Sequence, residues 1–215
     1  MSFVRGTVPD SPPQRVCVLV PEEFSSNDID AVRAGFTATG CEVRVQRAYS
    51  ALEAGGTEVV AVLDYHLVPP TRVRELMSLD RSHVPIVVTE TTAQVGPVVV
   101  PGVTACLSCV HTAQAEADPN WTRHAVQMMG RAPKRLANAL SYEAAVVAGH
   151  LIGAAPVCSA PYSVSVTVNA QSWRRSEQIH HPHAACGCLS PAGNETVPDP
   201  VQLRPKTAEA FARHG

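Results

Sequence analysis

Apolar runs alternating with helix-like stretches organise the first half of the chain. Arg15-Val-Cys-Val-Leu-Val20 is almost wholly apolar, the pattern of a strand buried on both faces. Ser25 and Ser26 are candidate N-caps for a helix to about Thr39, with Asp28 and Asp30 in its first turn and Gly40 placed as a left-handed C-cap. Glu42-Val-Arg-Val-Gln46 alternates like an edge or half-exposed strand. Glu58-Val-Val-Ala-Val-Leu-Asp64 is a further buried strand that ends in a carboxylate. Pro69 or Pro70 opens a helix to about Leu79, and Val84-Pro-Ile-Val-Val-Thr89 follows as a strand. This order predicts a parallel sheet with covering helices.

Beyond Thr89 the pattern changes. Gln94-Val-Gly-Pro-Val-Val-Val100 reads as a strand, with Pro101-Gly102 as a tight turn. Helical stretches are expected near residues 120–130 and 134–152, the second with Leu136, Leu140, Val147 and Leu151 on one stripe and alanines that permit close packing. Tyr162-Ser-Val-Ser-Val-Thr-Val-Asn169 alternates, with Val164, Val166 and Val168 on one face. A second strand carrying Trp173 is expected to pair with it as a hairpin. The expected fold is a truncated Rossmann-like parallel α/β sheet with flanking helices and a C-terminal β-hairpin, in one domain over residues 15–189. The proline-containing residues 1–14 and residues 190–215 read as disordered or flexible extensions, with a short helix near Thr207–Arg213.

Candidate chemistry lies in two cysteine clusters. Cys106-Leu-Ser-Cys109 and Cys186-Gly-Cys188 are two close pairs, each short enough for both sulfurs to reach one ion. Zn²⁺ takes four thiolates readily, and a full set of four leaves no open position, so such a knuckle is structural rather than catalytic. A disulfide within Cys-x-Cys would be strained. His180, His181 and His183 stand just ahead of Cys186 and are alternatives for one ligand. The all-cysteine set is preferred, with the histidines lining the knuckle or donating hydrogen bonds behind it. Cys17, Cys41 and Cys158 lie in apolar stretches and read as buried small hydrophobes.

Composition narrows the partners. A net charge of −2 over 215 residues gives no electrostatic case for nucleic acid or an anionic membrane. No apolar run approaches the roughly 20 residues of a membrane span. Together with an odd cysteine count and no signal-peptide pattern, this suggests a cytoplasmic protein with reduced thiols. No nucleophile signature such as Gly-x-Ser-x-Gly is present, so no catalytic residue is assigned. His66, His111 and His150 read as structural or surface residues, Trp121 and Trp173 as core or interface anchors, and Arg174 and Arg175 as a solvated strand end. A nucleotide-binding first turn needs Gly-x-Gly-x-x-Gly, whereas here Pro21-Glu-Glu-Phe-Ser-Ser26 contains no glycine. Asp64 sits where Mg²⁺ or a ribose would bind, yet alone such a residue is more often a helix cap or a solvated loop residue.

From about Val59 to Cys188 the chain resembles the ThiF-type family, relatives of ubiquitin-activating enzymes. The resemblance is carried by Glu58-Val-Val-Ala-Val-Leu-Asp64, His83-Val-Pro-Ile-Val-Val88 and Val95-Gly-Pro-Val-Val-Val-Pro-Gly102 running into Thr104-Ala-Cys-Leu-Ser-Cys109. Ala117-Asp-Pro-Asn-Trp121 and His181-Pro-His-Ala-Ala-Cys-Gly-Cys188 are most similar to the ThiF-like proteins of ribosomal peptide pathways. The resemblance implies one structural zinc on Cys106, Cys109, Cys186 and Cys188. It also implies a non-catalytic partner that brings a precursor peptide to a YcaO-type cyclodehydratase or related modifying enzyme. Members with a winged-helix-like domain ahead of the fold grip the leader there; residues 1–14 are too short for one, so leader binding is expected on another surface or another protein. Two further readings stay open. One is an ATP-dependent adenylyltransferase acting on a peptide or carrier-protein C-terminus, with Asp64 at the family's aspartate position but without its glycine loop. The other is a structural homodimer subunit.

Overall fold

In a computed structural model, residues 13–47, 59–134, 136–154 and 162–189 are described. Cys158, residues 1–12 and the segment from 190 onward, with its expected helix near Thr207, lie outside them. Seven strands form one sheet: β1 (Arg15–Val20), β2 (Glu42–Arg47), β3 (Val59–Tyr65), β4 (His83–Val88), β5 (Thr92–Val95), β6 (Ser163–Asn169) and β7 (Arg175–His180). Their order is β2-β1-β3-β4-β5-β6-β7. The first four are parallel, with β2 at the edge as its half-exposed pattern predicts.

The remaining strands correct the expectation of a parallel sheet carrying a separate hairpin. β5 is antiparallel to both β4 and β6, and β6 to β7, so the hairpin continues one mixed sheet. The cause is local. Only three residues join β4 to β5, whereas a parallel neighbour needs a crossover of a dozen or more. Thr89 closes that turn: its N–H donates to the Thr92 carbonyl at 2.9 Å, and its Oγ1 accepts from the amides of Thr91 and Thr92. The expected strand 94–100 is also shorter. It stops at Gly96, which has φ +87° and precedes a cis peptide to Pro97. A Cβ there would stand 2.8 Å from the Val164 carbonyl oxygen, so β6 approaches this closely only because residue 96 is glycine. Trp173 belongs to the β6–β7 turn, at φ 54°, and not to the strand.

Among the described residues there are five helices: α1 (Ser26–Ala38), α2 (Pro70–Ser78), α3 (Leu107–Ala117), α4 (Trp121–Met128), which packs on α3 and buries no residue of its own, and α5 (Asn138–Ala154). Ser25 caps α1 by accepting from the Asp28 amide at 3.1 Å, and Gly40 follows its end at φ +82°. Alternation along the strands divides the core. Val16, Val18, Leu63, Ile86 and Val166 pack under α1 and α5, while Cys17, Leu19, Val60 and Val62 pack with Val73 and Leu76 of α2 and Leu107 of α3. Cys17 and Cys41 are buried, as expected of small hydrophobes. Leu140 and Val147 are the buried members of the α5 stripe. The helix α3, which begins within the first cysteine pair, was not anticipated.

Candidate metal centre

The turn at Gly102 leads into the first cysteine pair, and Thr104 pins it: its Oγ1 accepts from the Val100 amide at 2.9 Å and donates to the Val98 carbonyl at 3.3 Å. Cys106 then occupies the N-cap position of α3 and Cys109 its first turn, where the helix's positive end favours thiolate. β7 delivers the second pair. After it, Ala185 N–H donates to His183 Nδ1 and Cys186 N–H to the His183 carbonyl, turning the chain into a 3₁₀ turn, Gly187–Leu189. The Ser163 hydroxyl on β6 donates to the Ala105 carbonyl, which fixes the approach of the two segments.

The four Sγ atoms lie within 4.8 Å of one another. Cys106 is 3.9 Å from Cys109 and 3.6 Å from Cys186, and Cys109 is 3.4 Å from Cys188. A disulfide needs about 2.05 Å, whereas thiolates bonded to a tetrahedral ion at about 2.3 Å stand roughly 3.8 Å apart. The set is therefore compatible with a metal site. Its electrostatics agree. Burial pushes the Cys186 thiol up to about 11 and the Cys188 thiol also upward, with neighbouring cysteines adding to both. Burial opposes the Cys109 thiolate too, but backbone hydrogen bonds with His183 and Cys106, with the Cys188 and Cys186 thiols, more than offset it and lower its pKa. Four ionised thiols so close require a cation.

Each histidine near the knuckle has another engagement. His180 is buried, with Nε2 2.7 Å from Ser165 Oγ, and its pKa is lowered by burial and by His181. The His181 ring lies 6.1 Å from that of Tyr162. His183 Nδ1 accepts from Ala185, so Nε2 carries the proton and donates to Glu116 Oε2 on α3 at 3.0 Å. This joins the second cysteine turn to the helix that begins with the first.

The carboxyl ends of the parallel strands are arranged differently. Phe24 is buried after β1, its ring 5.9 Å from Tyr65. At the start of α1, buried Asp28 accepts hydrogen bonds from the hydroxyls of Ser25 and Ser141, so a carboxylate belonging to the chain sits at the helix end where a phosphate would bind. Asp64 is neither a helix cap nor solvated: it is buried, and Oδ1 accepts from the Tyr65 amide at 2.8 Å. Burial raises its pKa to about 6, against the lowering effect of that amide and of Arg72.

No protein-family model matches the chain, and no curated protein matches it by sequence. Solved structures do match. A heterocyclase in complex with substrate and cofactor superposes with a TM-score of 0.58 at 15% identity, covering 83% of this chain and 26% of that one. The heterocyclase TruD gives 0.51 at 19%, over 83% of this chain and 28% of that one. A component of the E. coli microcin synthetase McbBCD complex gives 0.57 at 13%, over 85% and 72%. The chain shares their fold. The chain spans little more than a quarter of the length of the heterocyclases. Among the described residues, no helix is long and apolar enough to cross a membrane.

Of the other candidates, Trp121 lies against His111, rings 5.2 Å apart, and Arg175 Nε donates to Glu143 on α5 at 2.9 Å. Arg174, Trp173 and His150 are exposed. That His111 and Trp121 share a cavity with Gln94 and Gln114 was missed in the sequence; the signal available was the spacing of Leu107, Val110, His111 and Gln114 along one helical face.

Proposed function

We propose that the protein is a non-catalytic, ThiF-like partner in the modification of a ribosomally made peptide, presenting a precursor peptide to a YcaO-type or related modifying enzyme. The observation that carries this reading is the fold shared with heterocyclase and microcin-synthetase components. One of the matching structures is the E. coli microcin synthetase McbBCD complex with pro-MccB17 bound. The non-catalytic role is supported by the first turn of the sheet, where Phe24 and Asp28 occupy the ground a nucleotide phosphate needs. A protein of this kind raises turnover by holding a substrate within reach of another active site.

In this reading Cys106, Cys109, Cys186 and Cys188 hold a structural Zn²⁺, chosen because four thiolates at these separations suit its size and softness. The ion's contribution is cross-linking, and His183 and Glu116 brace its second turn from behind. The site of action is the cytoplasm, where such thiols stay reduced. Reconstitution of the modifying enzyme with its precursor peptide, with and without this protein, tests the role. Faster turnover in its presence is expected, and equal turnover in both mixtures contradicts it.

A further inference from the structure

Between the sheet and α3 lies a cavity of about 100 Å³ that the metal centre does not use. Its floor is apolar, from Pro85 on β4 and Leu107 and Val110 on α3. Its polar side chains are of two kinds. Gln94 on β5 and Gln114 on α3 contribute carboxamides; His66, at φ 59° after β3, and His111 on α3 contribute imidazoles. Among the described residues, none of these four side chains has a hydrogen-bond partner. Burial lowers the His111 pKa to about 4, so its ring is neutral at physiological pH.

The cavity adjoins a more open apolar groove of about 260 Å³ between α3 and α4, which shares Leu67, His111 and Trp121 with it and runs out past Val126 and Met129. The His111 and Trp121 rings, tilted by 37° to one another, stand at the junction. Among the described residues, no Lys, Arg, Asp or Glu lines either space.

We infer that the cavity binds an uncharged carboxamide side chain, as on Asn or Gln, of an extended peptide whose adjoining apolar residue lies in the groove. A carboxamide both donates and accepts, and returns both hydrogen bonds to Gln94 and Gln114. A carboxylate or ammonium entering this lining meets no Lys, Arg, Asp or Glu side chain to offset its lost hydration. An apolar side chain of the same size leaves the glutamine and histidine groups unsatisfied. The inference rests on the proposed handling of a peptide and names where on the chain it is read.

The test uses the full chain with Trp173→Phe, which leaves Trp121 as the one indole of the two in the sequence. The Trp121 indole N–H signal is followed by two-dimensional NMR during titration with acetyl-Leu-Gln-Leu-amide and its Glu and Met analogues. A saturable shift with the Gln peptide is expected, with the Glu and Met peptides weaker by roughly tenfold or more. Gln114→Leu should abolish the preference over Met. An equal response to all three peptides, or no shift up to their solubility limits, overturns the inference without reliance on any cavity variant. Selective binding without stimulation of the modifying enzyme overturns the partner role alone; stimulation without selectivity overturns the carboxamide site alone.

Discussion

Gly35 of α1 and Ala145 of α5 pack so closely that a Cβ added at Gly35 would stand 2.7 Å from the Ala145 Cβ and closer still to the Tyr142 carbonyl oxygen. The obstacle is partly backbone, which cannot rotate away. Gly35→Ala should therefore destabilise the protein by about 1–3 kcal/mol, even though alanine suits a helix better than glycine by about 1 kcal/mol. Urea unfolding of both proteins measures it; a midpoint that rises in the variant contradicts the packing described.

Metal content and stability should fall together in Cys186→Ser. Elemental analysis is expected to find one zinc per wild-type chain and almost none in the variant. Binding energy at such a site is largely folding energy, so a loss of several kcal/mol is expected, lowering Tm by roughly 10 °C. Unchanged metal content and Tm would remove the centre from the account.

Stability should depend on pH through Asp64. Its folded pKa of about 6 lies above its ordinary 3.8, so between these values the native state holds more protons than the unfolded chain. Stability from this group is greatest at low pH and declines as pH rises from about 4 to 6. Compared with wild type, Asp64→Asn should gain roughly 1–3 kcal/mol over that interval, whatever constant offset its loss as a partner of Arg72 brings. His83 acts with the opposite sign. Fully buried, with Nδ1–H donating to the Arg81 carbonyl, it has a pKa near 4, so its stability is present above about 6.5 and lost as pH falls through 4. With Asp64 removed, acid destabilisation should steepen. Denaturant titrations of both proteins at several pH values test this, and parallel pH profiles would refute it.

Calorimetric titration with Mg-ATP should give no binding heat. The Asp28 carboxylate at the start of α1, fixed by Ser25 and Ser141, repels a phosphate. A micromolar dissociation constant would return the adenylyltransferase reading to first place.

The parallel strands, α1 with its Ser25 cap, and α2 were legible in the sequence because each rests on a local signal: an apolar run, a capping serine, a proline at a helix start. The cysteine set was legible for a similar reason, as pairs three and two residues apart. What stayed hidden depends on encounters between distant segments. The direction of β5 is decided by the three-residue turn at Thr89 and by the seat beside Val164 that Gly96 permits. α3 carries only Leu107, Cys109 and Val110 as buried residues, too few for a clear apolar stripe. Gln94 and Gln114 read as ordinary polar positions until the fold sets them around one cavity.

Cys106 and Cys186 are 80 positions apart. At a synthesis rate of about 5–20 residues per second, the first cysteine pair waits roughly 4–16 s before the second exists. During that interval two of the four sulfurs are exposed to oxidants and to competing soft metals, with β6 and β7 still to be made. With the proposed zinc, closure of the centre becomes a late event in the life of each new chain, and a shortage of the metal should first be felt as slow or failed maturation.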